Sequence, residues 1–344
     1  MSTQEITLDY KLSVSGKSYQ QNTTGGVISI VVEEHVDMIG MLIVRFSDSE
    51  DWKYQIGDDV KLEVDTQEIF SGQITALEPS FSVKTGPVVT LRAMDPLYKL
   101  TRGRKTRQFD EMSDSDAVKK VLSDAGLTAS VDSTSPKHEY ILQRNESDMS
   151  FVKRLAARNN FMLRMDGGKA CFKKAQYSGN GVEVDLRQEK SGAVPLISVD
   201  MKYSAAQQIQ ELVVHGWDYN KKEKIVGKAT SSDVTKIGDG KLGMDVCSTF
   251  GKATSYVTDV PVTDQSVAKV LAQSELNRLS RQFLRGTARF RGAVMKDLRA
   301  GVMVTFSGLP TNYNGRFFVV SSRTSWSTAG TFVDVHFCSN CAGT

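Results

Sequence analysis

Two stretches decide the reading: GDDVKLEVDTQEIFSGQITALEPSFSVKTGPVVTL, residues 57–91, and GVMVTFSGLPTNYNGRFFVVSSRTSWSTAGTFVDV, residues 301–335. In the first, Gly57 is followed by Val60 and Leu62, then by Gly72 flanked at two residues by Phe70 and Ile74, then by Leu77, Gly86, Val88 and Leu91. In the second, Gly301 is followed by Val304 and Phe306, then by Gly315 flanked by Tyr313 and Phe317, then by Val320, Gly330, Phe332 and Val335. The glycines are spaced 15 and 14 apart in the first stretch and 14 and 15 apart in the second. Alternating apolar residues between glycine turns read as strands. The matched spacing reads as one β-element used twice, with its structural turns at Gly57, Gly72 and Gly86 and again at Gly301, Gly315 and Gly330.

Outward from these stretches the chain divides into three. Residues 1–107 read as short strands: Ile6–Val14, Val27–Glu34, Met41–Asp48, Val60–Val64 and Val88–Asp95. This texture predicts a first β-barrel domain. Residues 108–176 change character. Ser113 caps a helix over Asp114–Ala125, HEYILQRNE reads as a strand, and a second helix covers Ser147–Arg158 with Phe151, Val152, Leu155 and Ala156 on one face. FMLRMDGGKACFKKA then predicts a hairpin turning at Asp166–Gly168, so this segment is a small α+β insert. Residues 177–344 return to strands and are interrupted by one long helix over 264–284. The fold class is therefore mainly β, two barrels with an α+β insert and one long helix.

Composition narrows the function. With 43 basic against 40 acidic residues the net charge is +3, so the balance implies no nucleic-acid wrapping and no membrane-surface binding. No apolar run approaches the ~18 residues of a membrane span, and the polar N-terminus reads as free of a secretory signal. Four cysteines outside any dense framework suit a reducing compartment, the cytoplasm during assembly.

Candidate chemistry is sparse. His35, His138, His215 and His336 sit in no catalytic motif, and no GxSxG, HExxH or P-loop occurs in context. KIGDGKLG (Lys236–Gly243) reads as a solvated loop, and the pairs Glu33-Glu34 and Asp58-Asp59 as ordinary strand-end and turn acids. The cluster His336, Cys338 and Cys341 is the one metal candidate. Zinc sites usually draw on two spaced pairs, and here there is a single CxxC, so a frayed tail with free thiols is the favoured reading and no metal or other cofactor is expected. The basic stretch Thr101–Arg107 reads as a linker or as a contact with an acidic neighbouring subunit.

Several runs carry a resemblance: IGDDVKLEV, IFSGQITALEP, VTLRAMDPLYKLTRGRKTRQF, ILQRNESDMSFVKRLAARNNFMLRMDGG, VVHGWDYNKKEKIVGKA and LRAGVMVTFSGLPTNYNGRFFVVSSRTSW. The most specific part is Gln143, Glu146, Ser147, Asp148, Phe151, Leu155 and Ala156. They resemble the late control protein D family of contractile phage tails, the baseplate hub, and the hub portion of VgrG-type spikes of type VI secretion. The resemblance covers residues 40–344. It implies a homotrimer with two tube-like barrels per chain, a hexameric tail tube on one face, a trimeric spike on the other and baseplate wedge proteins outside. It implies no catalytic residue, no specific nucleic acid and no membrane anchor. The particle would be a phage virion or a phage-tail-like particle. Because the chain ends at Thr344 without an OB-fold or β-helix, the spike is expected to be a separate polypeptide. A tail-associated peptidoglycan hydrolase and a receptor- or carbohydrate-binding β-protein are the rival readings.

Overall fold

The computed structural model describes residues 10–20, 26–47, 53–84, 86–179, 181–187, 195–262, 264–292 and 296–343. Of the expected strands, residues 6–9 and Asp48 lie outside the described residues. The first segment supplies β1 (Tyr10–Val14), β2 (Lys17–Gln20), β3 (Val27–His35), β4 (Met41–Phe46), β5 (Asp59–Val64), β6 (Gln67–Ser82) and β7 (Gly86–Met94). Their inward residues alternate along each strand, as Val60, Leu62 and Val64 do on β5, because successive side chains of a strand point to opposite faces.

The α+β segment follows with β8 (Lys105–Met112), α1 (Asp114–Asp124), β9 (Ala129–Val131), β10 (His138–Glu146), α2 (Asp148–Asn159), β11 (Phe161–Asp166) and β12 (Lys169–Lys174). Strand β8 crosses the expected 107/108 boundary, since Lys105 and Arg107 already pair with β10. Ser113 and Ser147 cap the two helices by accepting the amides of Asp116 and Ser150. The segment has its own core, in which Leu97 and Leu100 meet Phe109, Val118, Phe151, Leu155 and Phe172.

The rest comprises β13 (Val182–Asp185), β14 (Leu196–Tyr203), β15 (Glu211–Asp218), β16 (Glu223–Thr230), α3 (Gly243–Val246), β17 (Thr254–Val257), α4 (Gln265–Ser280), β18 (Leu284–Arg291), β19 (Met303–Ser307), β20 (Gly315–Ser327) and β21 (Gly330–Ser339). Helix α4 packs on the β15–β16–β17 sheet around Leu212, Val214, Ala268, Ala272 and Leu276. It is shorter than the expected 264–284. Phe283 and Leu284 bury in the main β core instead of on the helix, and Leu284 opens β18.

The fold is mainly β, and its centre is one continuous 13-stranded sheet in the order β14-β18-β21-β20-β3-β4-β7-β6-β5-β1-β2, with β19 on β20 and β13 on β19. Where the sequence predicts two barrels, the strands of both halves share this sheet and one apolar core running from Leu12, Leu42 and Val60 to Phe290, Phe306 and Phe337. Burying apolar surface on a common core is worth roughly 25 cal/mol per Å², which favours joining the halves over closing each alone.

Candidate functional site

The feature with functional content is the repeat, now visible as pairing. In the first half β3 pairs β4, β4 pairs β7, β7 pairs β6 and β6 pairs β5, all antiparallel. In the second half β14, β18, β21, β20 and β19 pair in the same succession and sense. The registers agree as well as the order. Leu91 lies opposite Val44 and Leu77, as Val335 lies opposite Ala288 and Ser322. Both copies bulge in the same two places. The ladder slips between Ile74 and Ala76 as between Val319 and Ser321, and between Val27 and Ser29 as between Leu196 and Ser198. A bulge bends and twists its strand at a fixed point, so shared bulges mean shared curvature.

The turn glycines do parallel work at four of the six positions. Gly57 and Gly301 turn the chain ahead of β5 and β19, and Gly86 and Gly330 open β7 and β21, all with positive φ. The two central glycines depart from the sequence alignment. Gly72 lies mid-strand opposite Val60, whereas Val304, the counterpart of Val60, lies opposite Phe317, and Gly315 pairs with Phe306. The cause is the connection. A tight turn at Asp65-Thr66 joins β5 to β6, but Pro310 and a 3-10 turn over Thr311–Tyr313 delay the start of β20 until Gly315. Gly72 is needed for clearance, because a Cβ there would sit 2.2 Å from the Met94 carbonyl oxygen, while Gly315 adopts φ +139° in open space.

The two copies meet where β20 pairs with β3 in the order Ser321–Ser327 against His35–Ser29. Across this joint Trp326 faces Ile30 and packs edge-on against Tyr10 with ring centroids 4.8 Å apart. On the other face the Arg323 Nε donates to Glu33 at 2.9 Å. Arg299, from the loop before β19, donates to Glu34 at 3.0 Å and to the carbonyl of Ile69 at 2.9 Å, clipping the second half onto the first. Glu33 and Glu34 are thus structural partners of arginines.

The remaining candidates resolve into packing. Asp58 accepts the Gln55 amide and Asp59 the Gln73 side chain, so this pair closes a turn. His336 and Cys338 share one face of β21 and line a cavity of about 420 Å³ with His35, Asp37, Tyr177 and Arg281. Cys341 lies instead in the core under α4, so the three proposed ligands do not converge. Among the described residues no group of three or more His, Cys, Asp or Glu is placed to hold a metal. In that cavity His35 Nδ1 accepts the Asp37 amide at 3.0 Å, and burial holds its pKa below the usual imidazole value. Burial also pushes Asp37 upward, against the pull of His35.

The C-terminal tail is not frayed. Asn340 accepts the Ile237 amide at 2.7 Å and donates to the Thr235 carbonyl and Ser280, and Leu242 bridges to Cys341. Cys338 and Cys341 are buried, and burial pushes the Cys338 thiol up to about 11. By the same contacts Lys236–Gly243 is a partly buried strap rather than a solvated loop, with Ile237 and Leu242 in the interior.

Two of the four basic residues in the stretch before the insert, Lys105 and Arg107, make ion pairs within the chain. Fully buried Gln143 donates to Asp148 at 2.9 Å and accepts from Arg107 at 2.7 Å, and Asp148 also accepts from Lys105 and Arg107. Burial pushes Asp148 up, but Lys105, Gln143 and Arg107 outweigh it and hold its carboxyl below the ordinary range. Gln143 and Asp148 belong to the most specific sequence run, and this network is what they build. Arg299 and Asn340 carried no local signal, since their partners lie far away in sequence.

With this geometry in hand, the model of one protein family, the Alg8 N-terminal domain, matches residues 4–326. The chain belongs to the Alg8 N-terminal domain family. Comparison with curated proteins finds no match. Among solved structures, this Alg8 N-terminal domain chain superposes on the 43 kDa tail protein of prophage MuSo2 from Shewanella oneidensis with TM-score 0.73 and 14% identity, covering 96% of this chain and 98% of that one. A tail protein from Neisseria meningitidis MC58 gives TM-score 0.71 at 14% identity over 97% of each chain. The E. coli c3393 protein, a type VI secretion component described as structurally similar to the T4 tail proteins gp27 and gp5, gives 0.63 at 15% identity, over 97% of this chain and 78% of its own. The fold is that of phage tail proteins.

Proposed function

We propose that the chain is the baseplate hub of a contractile tail or related injection particle, a homotrimeric symmetry adapter between a hexameric tail tube and a separate trimeric spike, and part of the central conduit. The observation that carries this reading is the repeated five-strand module with matched registers and bulges. Three chains can match a six-fold partner only if each presents the same surface twice. In this reading the two β-halves, residues 1–107 and 177–344, act as tube-like barrels completed in the assembly, and residues 108–176 lie at the periphery, within reach of baseplate wedge proteins. The work is mechanical and needs no catalytic group, and the chain passes from the bacterial cytoplasm into the virion or particle. Light scattering on the chain mixed with its spike tests it. A three-to-three complex is expected, and a stable dimer of the chain in that mixture would sink the adapter.

A further inference from the structure

The joint between the two halves has a counterpart elsewhere in the molecule that is only half made. Matching strands through their registers sets β20 on β6, with Ser321–Ser327 at Ala76–Ser82, and β3 on β14, with Ser29–Glu34 at Ser198–Tyr203. Within the chain β20 pairs with β3. Their counterparts do not meet. Among the described residues Ala76–Ser80 pair with β7 and no second strand, because β5 covers only Gln67–Gln73, and β14 pairs with β18 alone.

We propose that the second half of β6 in one chain and β14 in another copy pair as antiparallel strands, in the register that β20 and β3 show within one chain. The inference rests on the ring reading above and supplies its contact. Transferring the register places Leu77 opposite Tyr203 and Pro79 opposite Met201 on one face. It places Glu78 opposite Lys202 and Ser80 opposite Asp200 on the other. The sides match without adjustment. Leu77, Val199, Met201 and Tyr203 already lean on the shared apolar core while only half covered. Glu78, which also accepts from Arg92 within the chain at 2.6 Å, and Lys202 are exposed and of opposite sign, at the place where Arg323 and Glu33 pair in the internal joint. A slip of one residue would set apolar side chains against polar ones along the whole seam.

A second copy is the occupant the geometry selects, because both edges belong to this chain. Each edge is the other's missing partner, a heterologous contact that closes only by going round a ring. Pro79 removes one amide donor from the β6 edge, a common device against indiscriminate strand addition.

The test is disulfide trapping on the full chain, whose four native cysteines are buried. Directly opposed residues fall within disulfide reach, while residues two further along do not. The variant Glu78→Cys with Lys202→Cys is oxidised beside the off-register variant Glu78→Cys with Asp200→Cys. The internal variant Glu33→Cys with Arg323→Cys must close within one chain and serves as the positive control. All are surface changes, and circular dichroism verifies folding. The expected result is at least about tenfold more covalent oligomer from 78/202 than from 78/200. Equal yields, or none at 78/202 while the internal control closes, would overturn the seam. Light scattering on the unaltered chain separates the two readings. A trimer without the 78/202 bond keeps the ring and discards this contact, whereas the bond in a closed dimer keeps the contact and discards the ring.

Discussion

In the first copy of the module the step from β3 to β4 takes residues 36–40. In the second the equivalent step from β14 to β18 takes residues 204–283 and contains β15–β17, α3 and α4. The outer neighbours differ too, since β5 is extended by antiparallel β1 and β19 by parallel β13. Yet the five shared strands keep their registers and both bulges through these differences. The comparison teaches where the constraint lies: on the curvature of the sheet, which neighbouring modules must match, and not on the connections, which lie at strand ends and tolerate insertions. It also shows that conformation is preserved where side chains are not, since Leu77 and Ser322 occupy one structural position.

The hardest blow to this comparison comes at the central glycines. Gly72→Val places side-chain atoms inside the β7 backbone, and is expected to cost about 4 kcal/mol or more and to prevent folding at 37 °C. Gly315→Ala meets no atom and pays only for its backbone angle, about 1–3 kcal/mol. Urea unfolding of both variants checks the order. Equal costs would mean that the two glycines do equivalent work after all.

A smaller effect tests whether the insert is independent of the module it follows. Asp114 is 2% exposed and accepts from Arg158 and Asn159, the latter at 2.7 Å, with His138 at 3.4 Å. Burial raises its pKa, but His138, Arg158 and Asn159 outweigh it and hold the carboxyl down to about 2. Its folded pKa lies below the unfolded value of about 4, so its stabilisation is present above pH 4 and is lost as pH falls through about 2. Asp114→Asn is expected to cost about 3 kcal/mol at pH 7. The gap from the wild type should shrink toward pH 2 in thermal melts. Hydrogen exchange should quicken in α1 and α2 and leave β3–β7 protected, and loss of protection in both would make insert and module one cooperative unit.

The exits of the two copies should respond less. Asp95 ends the first copy by accepting the amides of Gly40 and Leu97 at 2.6 and 2.9 Å, and Asn340 ends the second. Asn340→Ala leaves the buried Ile237 amide without its acceptor and is expected to cost about 2 kcal/mol, while exposing Cys341 to thiol reagents. Unchanged labelling of Cys341 would show that the tail is held by its apolar contacts alone.

Much of this was legible in the sequence, and the rest was hidden for identifiable reasons. Caps and apolar stripes give α1 and α2 nearly to the residue, because Ser113 and Ser147 act on amides three positions away. The repeat was legible through Gly57, Gly86, Gly301 and Gly330, where a positive φ demands glycine. Gly72 and Gly315 misled, since one glycine serves clearance and the other a turn, and composition cannot distinguish them. From sequence the tail reads as loose, because Asn340 and Ile237 are joined only by the fold. The sequence pattern extends helix α4 too far because Phe283 and Leu284 continue its spacing while belonging to the main β core. No local pattern announces that β20 will add to β3, since an edge shows its partner only in three dimensions.

The smallest expected effect bears on what holds the joint. Arg323 and Glu33 are half exposed, so water competes for both charges, and each side chain loses rotamer freedom on pairing. Arg323→Ala should therefore cost less than about 1 kcal/mol, and a double-mutant cycle with Glu33→Ala should give a coupling near 0.5 kcal/mol that fades in high salt. The ladder from Ser321 to Ser327 and the packing of Trp326 on Tyr10 and Ile30 would then carry the joint, with the ion pair fixing register by penalising slips. A coupling of about 2 kcal/mol or more, resistant to salt, would break that view. The charges would then be the glue between the two copies, and the opposed signs of Glu78 and Lys202 would matter for affinity as well as for alignment.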